Sequence, residues 1–198
     1  MKTFLTEIKT SVLITLVFAV LLCGAYPLAV WAGAQLLFPA KANGSLVTEA
    51  DGTVRGSALL AQSFTTDKYF QPRASAAGTG YDASSSGGTN LGPTSQKLND
   101  SIKAAVAAYR TANGLAADAP VPADAVTSSG SGLDPQISVA NAGLQAARVA
   151  KARNVPVEKV QELVAAHTAG RDLGIFGEAG VNVLMLNVAL DQQYPVKK

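Results

Sequence analysis

TSVLITLVFAVLLCGAYPLAVWAGAQLLFPA, Thr10 to Ala40, runs for 31 residues without a charge, between Lys9 and Lys41. As a helix it would extend about 46 Å at 1.5 Å per residue, against a hydrocarbon core of roughly 30 Å. It therefore reads as one membrane-spanning helix with length to spare, tilted or bent. Pro27, after Gly24, predicts a kink in mid-run. Tyr26 and Trp31 are the candidate interfacial side chains, with Trp31 the outer-leaflet anchor. Gly24, Ala25, Ala29, Ala32 and Gly33 are small enough for a partner helix to approach closely.

Two other readings of the run are weaker. Ala32-Gly33-Ala34 resembles a signal-peptide cleavage site, yet the apolar run is about twice a usual signal core and continues through Leu36, Leu37 and Phe38. Leu21-Leu22 before Cys23 resembles a lipidation box, but Leu22 stands where a small residue is required, so Cys23 reads as a packing residue. Lys2 and Lys9 precede the run and Lys41 alone lies close after it. The expected division is a cytoplasmic N-terminus (1–9), a membrane helix (10–40) and one extracytoplasmic domain (41–198).

The remainder is of ordinary single-domain size. The whole chain carries 16 Lys and Arg against 14 Asp and Glu, and the region beyond the membrane run is close to neutral. No basic stripe suited to nucleic acid appears. Cys23 is the one cysteine, so the domain has no disulfide and no cysteine-type zinc site.

The pattern predicts an α+β domain with a small antiparallel sheet and three to four helices. Asp51-Gly52 lies between short apolar runs as a hairpin turn, and Tyr69-Phe70-Gln71 reads as a strand stopped by Pro72. Ala74 to Ser95, rich in Ser and Gly, is a long loop that orders only if something packs on it. Leu98, Ile102, Ala105, Val106 and Tyr109 mark a helix from Gln96 that stops before Asn113-Gly114. A second loop covers Ala119 to Pro135. Ser138 is placed to cap a helix over Val139 to Arg153, and Pro156 to open another reaching about His167, with Glu158 favourable in its first turn. Val181 to Gln193 suits strand or buried helix, and its length favours helix.

Signatures of catalysis are scarce. There is no GxxxxGK[ST] loop, no GxGxxG after a strand, no HExxH and no DKTGT phosphorylation motif. His167 is the single histidine. A hydrolase built on His167 with Asp134 or Asp172 lacks a GxSxG elbow, and a helix-terminal histidine is explained by the helix dipole. One polar stripe stands out: Asn141, Gln145 and Arg148 recur at helical spacing opposite Val139, Ala142, Ala146 and Ala150. A solvated face is the ordinary reading, a contact surface the sharper one.

Several blocks in order, RGSALLAQSFTTDKYFQPRASA (Arg55 to Ala76), SGGTNLGP (Ser86 to Pro93), VPADAVTSSGSGLDPQIS (Val121 to Ser138), QAARVAKAR (Gln145 to Arg153) and VNVLMLNVALD (Val181 to Asp191), resemble the KdpC family. That family supplies the C subunit of the Kdp potassium-transporting P-type ATPase. Gln136 stands where the family usually has histidine, and Val139 where proline is frequent.

The resemblance implies a non-catalytic subunit of the high-affinity potassium pump of the inner membrane. Its partners would be a channel-like potassium-translocating subunit, a phosphorylating ATPase subunit and a small single-helix subunit. The complex uses ATP, Mg and potassium, none bound directly by this chain. The resemblance further implies a catalytic chaperone that raises ATP affinity, with the family's glutamine at Gln145 and Arg148 beside it. An outward-facing Gln145 cannot reach a cytoplasmic ATP site across roughly 30 Å of hydrocarbon, so any such effect is expected to pass through partner subunits. Weak or no nucleotide binding by residues 41–198 alone is the corresponding expectation. The alternatives are a membrane-anchored module binding a small ligand and an anchored serine hydrolase.

Overall fold

The computed structural model describes residues 2–49 and 51–195, and the chain divides into two compact units, Met1–Leu46 and Val47–Lys198. The first unit is dominated by one long helical rod. It is composed of α1 (Lys2–Val20), a π-helical turn (Leu21–Ala25) and α2 (Tyr26–Leu37), followed by the single turn α3 (Pro39–Ala42). Its 35 residues from Thr3 to Leu37 are long and apolar enough to cross a membrane, and none of its most apolar stretch is buried.

The interruption expected at Pro27 takes the form of the π turn. Proline offers no N–H to the preceding turn, and the helix widens just before it, with the Tyr26 N–H bonding back five residues to the Leu21 carbonyl. Phe38, at φ −140°, ends the rod ahead of Pro39, as the residue before a proline commonly does. Cys23 is exposed on the rod, as are Tyr26 and Trp31.

The second unit is α+β. Strands β1 (Leu46–Thr48) and β2 (Val54–Ser57) pair in a two-stranded ladder around the turn at Gly52, whose φ of 85° suits glycine. The longer helices are α4 (Gln96–Asn113), α6 (Val139–Arg153), α7 (Val157–Ala166) and α8 (Val183–Gln193), with a one-turn α5 (Ala123–Val126). A three-stranded antiparallel sheet has the order β3 (Gln136–Ser138), β5 (Gly180–Asn182), β4 (Thr168–Ala169). Ile137 and Thr168 both stand opposite Val181.

The helix limits follow from their caps. Ser95 accepts from the Leu98 N–H, Ser138 from Asn141, and Asn182 from Met185. At the other ends Gly114 and Asn154 take left-handed conformations and close α4 and α6. The core is apolar and continuous. Phe70, Ile137, Ala146, Val149, Val160, Val181, Leu186 and Leu190 are essentially inaccessible to solvent, and each large one contributes roughly 1.5–3 kcal/mol by leaving water.

The long Ser/Gly loop is held by the loop after α5. Ser129 N–H donates to Ala74 O at 3.2 Å, Gly87 N–H to Ser131 O at 2.9 Å, and Ala77 is fully buried. Gly132 has φ 68°, and a Cβ there would fall 2.7 Å from the Ala77 nitrogen. Two loops with little apolar surface thus order each other.

Two expectations are corrected, and a third, the helix expected over Val181 to Gln193, is borne out from Val183 onward. Tyr69-Phe70-Gln71 joins no sheet: Tyr69 N–H closes a turn onto Thr66 O, and side chains rather than a neighbouring strand take the backbone bonds of Phe70 and Gln71. The run from Val181 is divided, its first two residues in β5 and the rest, from Val183, in α8, with Asn182 ending the strand and capping the helix. Finally, the polar stripe on α6 is not a solvated face or a contact surface: Asn141, Gln145 and Arg148 are 1%, 1% and 8% exposed. With alanines on the opposite side, both faces of α6 are packed against protein.

Candidate functional site

The three stripe residues form one buried network that grips segment 67–71, a turn at Asp67-Lys68 followed by Tyr69, Phe70 and Gln71. Its foundation is Asp124 on α5, which accepts from Ser138 N–H (2.8 Å), Ser138 Oγ (2.8 Å) and Asn141 Nδ2 (2.9 Å). Burial pushes this carboxyl up, but the three donors outweigh it and hold its pKa below the ordinary aspartate value. Asn141 Oδ1 then accepts from Tyr109 O–H at 2.8 Å and from Gln145 Nε2 at 2.9 Å. The Tyr109 hydroxyl is pushed up to about 12 by burial and by the Asp124 charge, so it stays a donor.

Gln145 is saturated. Its Nε2 donates to Asn141 Oδ1 and to Gln71 O (3.1 Å), and its Oε1 accepts from Gln71 N–H (2.8 Å) and Arg148 Nη2 (2.8 Å). A primary amide has two N–H groups and two carbonyl lone pairs, and all four are used. Exchanging its oxygen and nitrogen would set donor against donor, so the network fixes the orientation.

Arg148 fills the next position along the segment. Nε donates to Asn113 Oδ1 (3.0 Å), and Nη1 donates to the carbonyls of Asp67 (2.9 Å) and Tyr69 (3.1 Å). Burial draws its guanidinium below the usual arginine pKa, against the opposing pull of Asp67 and Tyr109.

From the other side, Asn187 on α8 accepts from Phe70 N–H and donates to Phe70 O, both at 2.9 Å. An extended backbone turns the polar groups of successive residues to opposite edges. Phe70 therefore meets Asn187 while Gln71 meets Gln145, each amide standing where a neighbouring strand's peptide group would stand. Arg153 completes the grip: it donates to Lys68 O at 2.6 Å, pairs with Asp191 at 2.9 Å and lies 4.8 Å over the Tyr69 ring. Tyr69 O–H donates to Asp191 at 2.9 Å.

Beside Arg148 a cleft of about 500 Å³ opens between α4 and α6, lined by Asp67, Thr111, Asn113, Gly114, Arg148 and Lys151. Its wall carries the Arg148 and Lys151 side chains together with the Asp67 carboxylate, which faces Arg148 at 3.7 Å, and the C-terminal turn of α4. Both helices turn middle or C-terminal residues to it, not the N-terminal amides that hold a polyphosphate best.

The other sequence candidates lie apart from this network. His167 ends α7 with Nδ1 3.0 Å from Leu163 O, Asp134 is paired with Arg73 at 3.1 Å, and Asp172 bridges to Phe176. Gln136 sits exposed in β3 against Gly180. Among the described residues no group of three or more His, Cys, Asp or Glu could hold a metal ion. Gly24 and Gly33 on the rod have open space where a Cβ would be added. Sequence reasoning missed Asp124, Tyr109, Asn113 and Asn187. The available signal was a helix with polar residues on one face and little but alanine on the other, which leaves neither face built for water.

Residues 8–192 match the family described as KdpC, K+-transporting ATPase, c chain. Three similar proteins bear the name potassium-transporting ATPase KdpC subunit. That of Mycobacterium tuberculosis is 54% identical over 94% of this chain and 98% of its own length. The one from Rhodospirillum rubrum is 56% identical over 87% of this chain and 88% of its own, and that of Myxococcus xanthus 53% over 98% and 89%.

Proposed function

The chain belongs to the KdpC family of K+-transporting ATPase c chains, and from that premise we propose that it is a non-catalytic accessory subunit of an ATP-driven potassium pump. It anchors by its N-terminal helix in the inner membrane and holds its α+β unit on the extracytoplasmic side. Its partners are the channel-like, phosphorylating and small single-helix subunits. ATP, Mg and potassium are handled by those partners.

The observation that carries this reading is the saturation of Gln145. A side chain that spends both donors and both lone pairs on Gln71, Asn141 and Arg148 has none left for a nucleotide. Freeing it would strand buried groups at roughly 1–3 kcal/mol each. Any rise in the pump's ATP affinity then comes from how this subunit is packed against its partners, with Gln145 and Arg148 keeping the docking unit in shape.

The test uses the intact pump. Potassium-stimulated ATPase activity is measured against ATP concentration with the wild-type chain and with Arg148→Lys, which keeps the charge but loses the fork of donors. The expected outcome is reduced recovery of the complex, with the KM for ATP in the surviving complex within about twofold of wild type. A rise in KM of tenfold or more with full recovery would favour direct nucleotide contact.

A further inference from the structure

The connection from β4 to β5 carries three large apolar side chains into water: Leu173, Ile175 and Phe176 are 88%, 72% and 62% exposed. This tip has a defined shape. Asp172 and Phe176 exchange both backbone hydrogen bonds at 2.9 Å, and Ile175 N–H closes a turn onto Asp172 O at 3.1 Å. Both central residues of that turn, Leu173 and Gly174, have positive φ, 53° and 75°. Glycine and asparagine suit such positions, whereas leucine is a strained choice there. Arg171 and Glu178 pair across the base at 3.1 Å. The result is a preformed apolar knob on a polar neck.

Its size limits what it can bind. The three side chains expose about 400 Å² between them, which buries about 800 Å² counting both partners, under the roughly 1,200 Å² at which a free-standing interface begins. A soluble partner or a second copy of this unit would not stay on so small a contact. A partner already sharing the same membrane assembly would, because tethering by the helical rod supplies the effective concentration. The neck then separates protein from lipid. It carries Asp172 and Glu178 against Arg171, with Glu178 largely exposed, and has no lysine, tryptophan or tyrosine. Anionic bilayer surfaces attract Lys and Arg, and interfacial anchoring uses Trp and Tyr.

We propose that the Leu173–Phe176 knob docks into an apolar concavity with a basic rim, on the extramembrane face of another subunit of the pump. This rests on the accessory-subunit reading above. The test places a photo-crosslinking phenylalanine analogue at 176 in the full chain, within the complex purified in lipid nanodiscs. An adduct with another protein subunit is the expected result. An adduct with lipid alone, or none in a complex that co-purifies whole, overturns the proposal.

A second measurement uses Leu173→Asn with Phe176→Ser, both at exposed positions. The expected effect is about tenfold faster loss of the chain from the detergent-solubilised complex, with the thermal midpoint of the variant chain no lower than that of the wild type. An unchanged rate of loss overturns the docking. A wild-type chain that fails to co-purify with the pump overturns the accessory-subunit reading, and the docking with it.

Discussion

Gln145 shows how one side chain can replace a strand. It answers both polar groups of Gln71, and Asn187 answers both of Phe70. Truncation leaves at least one N–H and one carbonyl buried without a partner, and the Arg148 fork loses an acceptor. Gln145→Ala is therefore expected to destabilise the soluble unit by about 3 kcal/mol, read as a lower urea midpoint at unchanged slope. Asp124 gives the pH dependence. Its pKa is depressed in the folded chain, so its contribution is present above the unfolded value near 3.8 and is lost as pH falls below it. Asp124→Asn should reduce stability at pH 7 by about 2 kcal/mol and flatten the acid side of the stability curve, measured by thermal unfolding from pH 3 to 7. Gln145 and Arg148 stood out in the sequence by their spacing. Their task did not, because the backbone they hold lies more than seventy residues earlier in the chain.

At the scale of elements, the parts governed by local chemistry were legible. Ser138 announced the start of α6, Asn113-Gly114 the end of α4, and Asp51-Gly52 the first hairpin. What local chemistry does not decide was misread: residues 69–71 have strand composition, and nothing nearby reveals that amides from two later helices will serve as their neighbours. The run from Val181 was ambiguous for a related reason, since Asn182 serves both as the last residue of β5 and as the cap of α8. The apolar knob at 173–176 was visible as LGIF between Asp172 and Gly177, but apolar residues in a loop acquire meaning only once their exposure is known. The helical rod makes its own prediction. A Cβ added at Gly33 points into open space, so Gly33→Leu is expected to leave the chain's own packing intact. It should lower recovery of the other pump subunits several-fold if that face receives a partner helix, checked by affinity purification from detergent. Equal recovery would place that face against lipid.

For the whole molecule, a helix long and apolar enough to cross a membrane precedes an α+β unit, and in the proposed role that unit performs no chemistry of its own and acts by being held in place. The proposed topology rests on flanking charge. Ala117→Cys in a Cys23→Ser background puts a thiol on an exposed loop, and it should react with an impermeant reagent added outside spheroplasts. Reaction only after the membrane is opened would reverse the orientation. The central claim, that Gln145 is committed to holding segment 67–71 and not to nucleotide, is tested most directly by hydrogen exchange at the Gln71 amide in the intact pump. The account predicts protection comparable to α6 although the residue lies in no helix or sheet, and no change on adding ATP. It also predicts exchange about 100-fold faster in Gln145→Ala, with a much smaller change at Phe70, which Asn187 still holds. An amide that exchanges freely in the wild type, that loses protection when ATP binds, or that is indifferent to Gln145→Ala would contradict it.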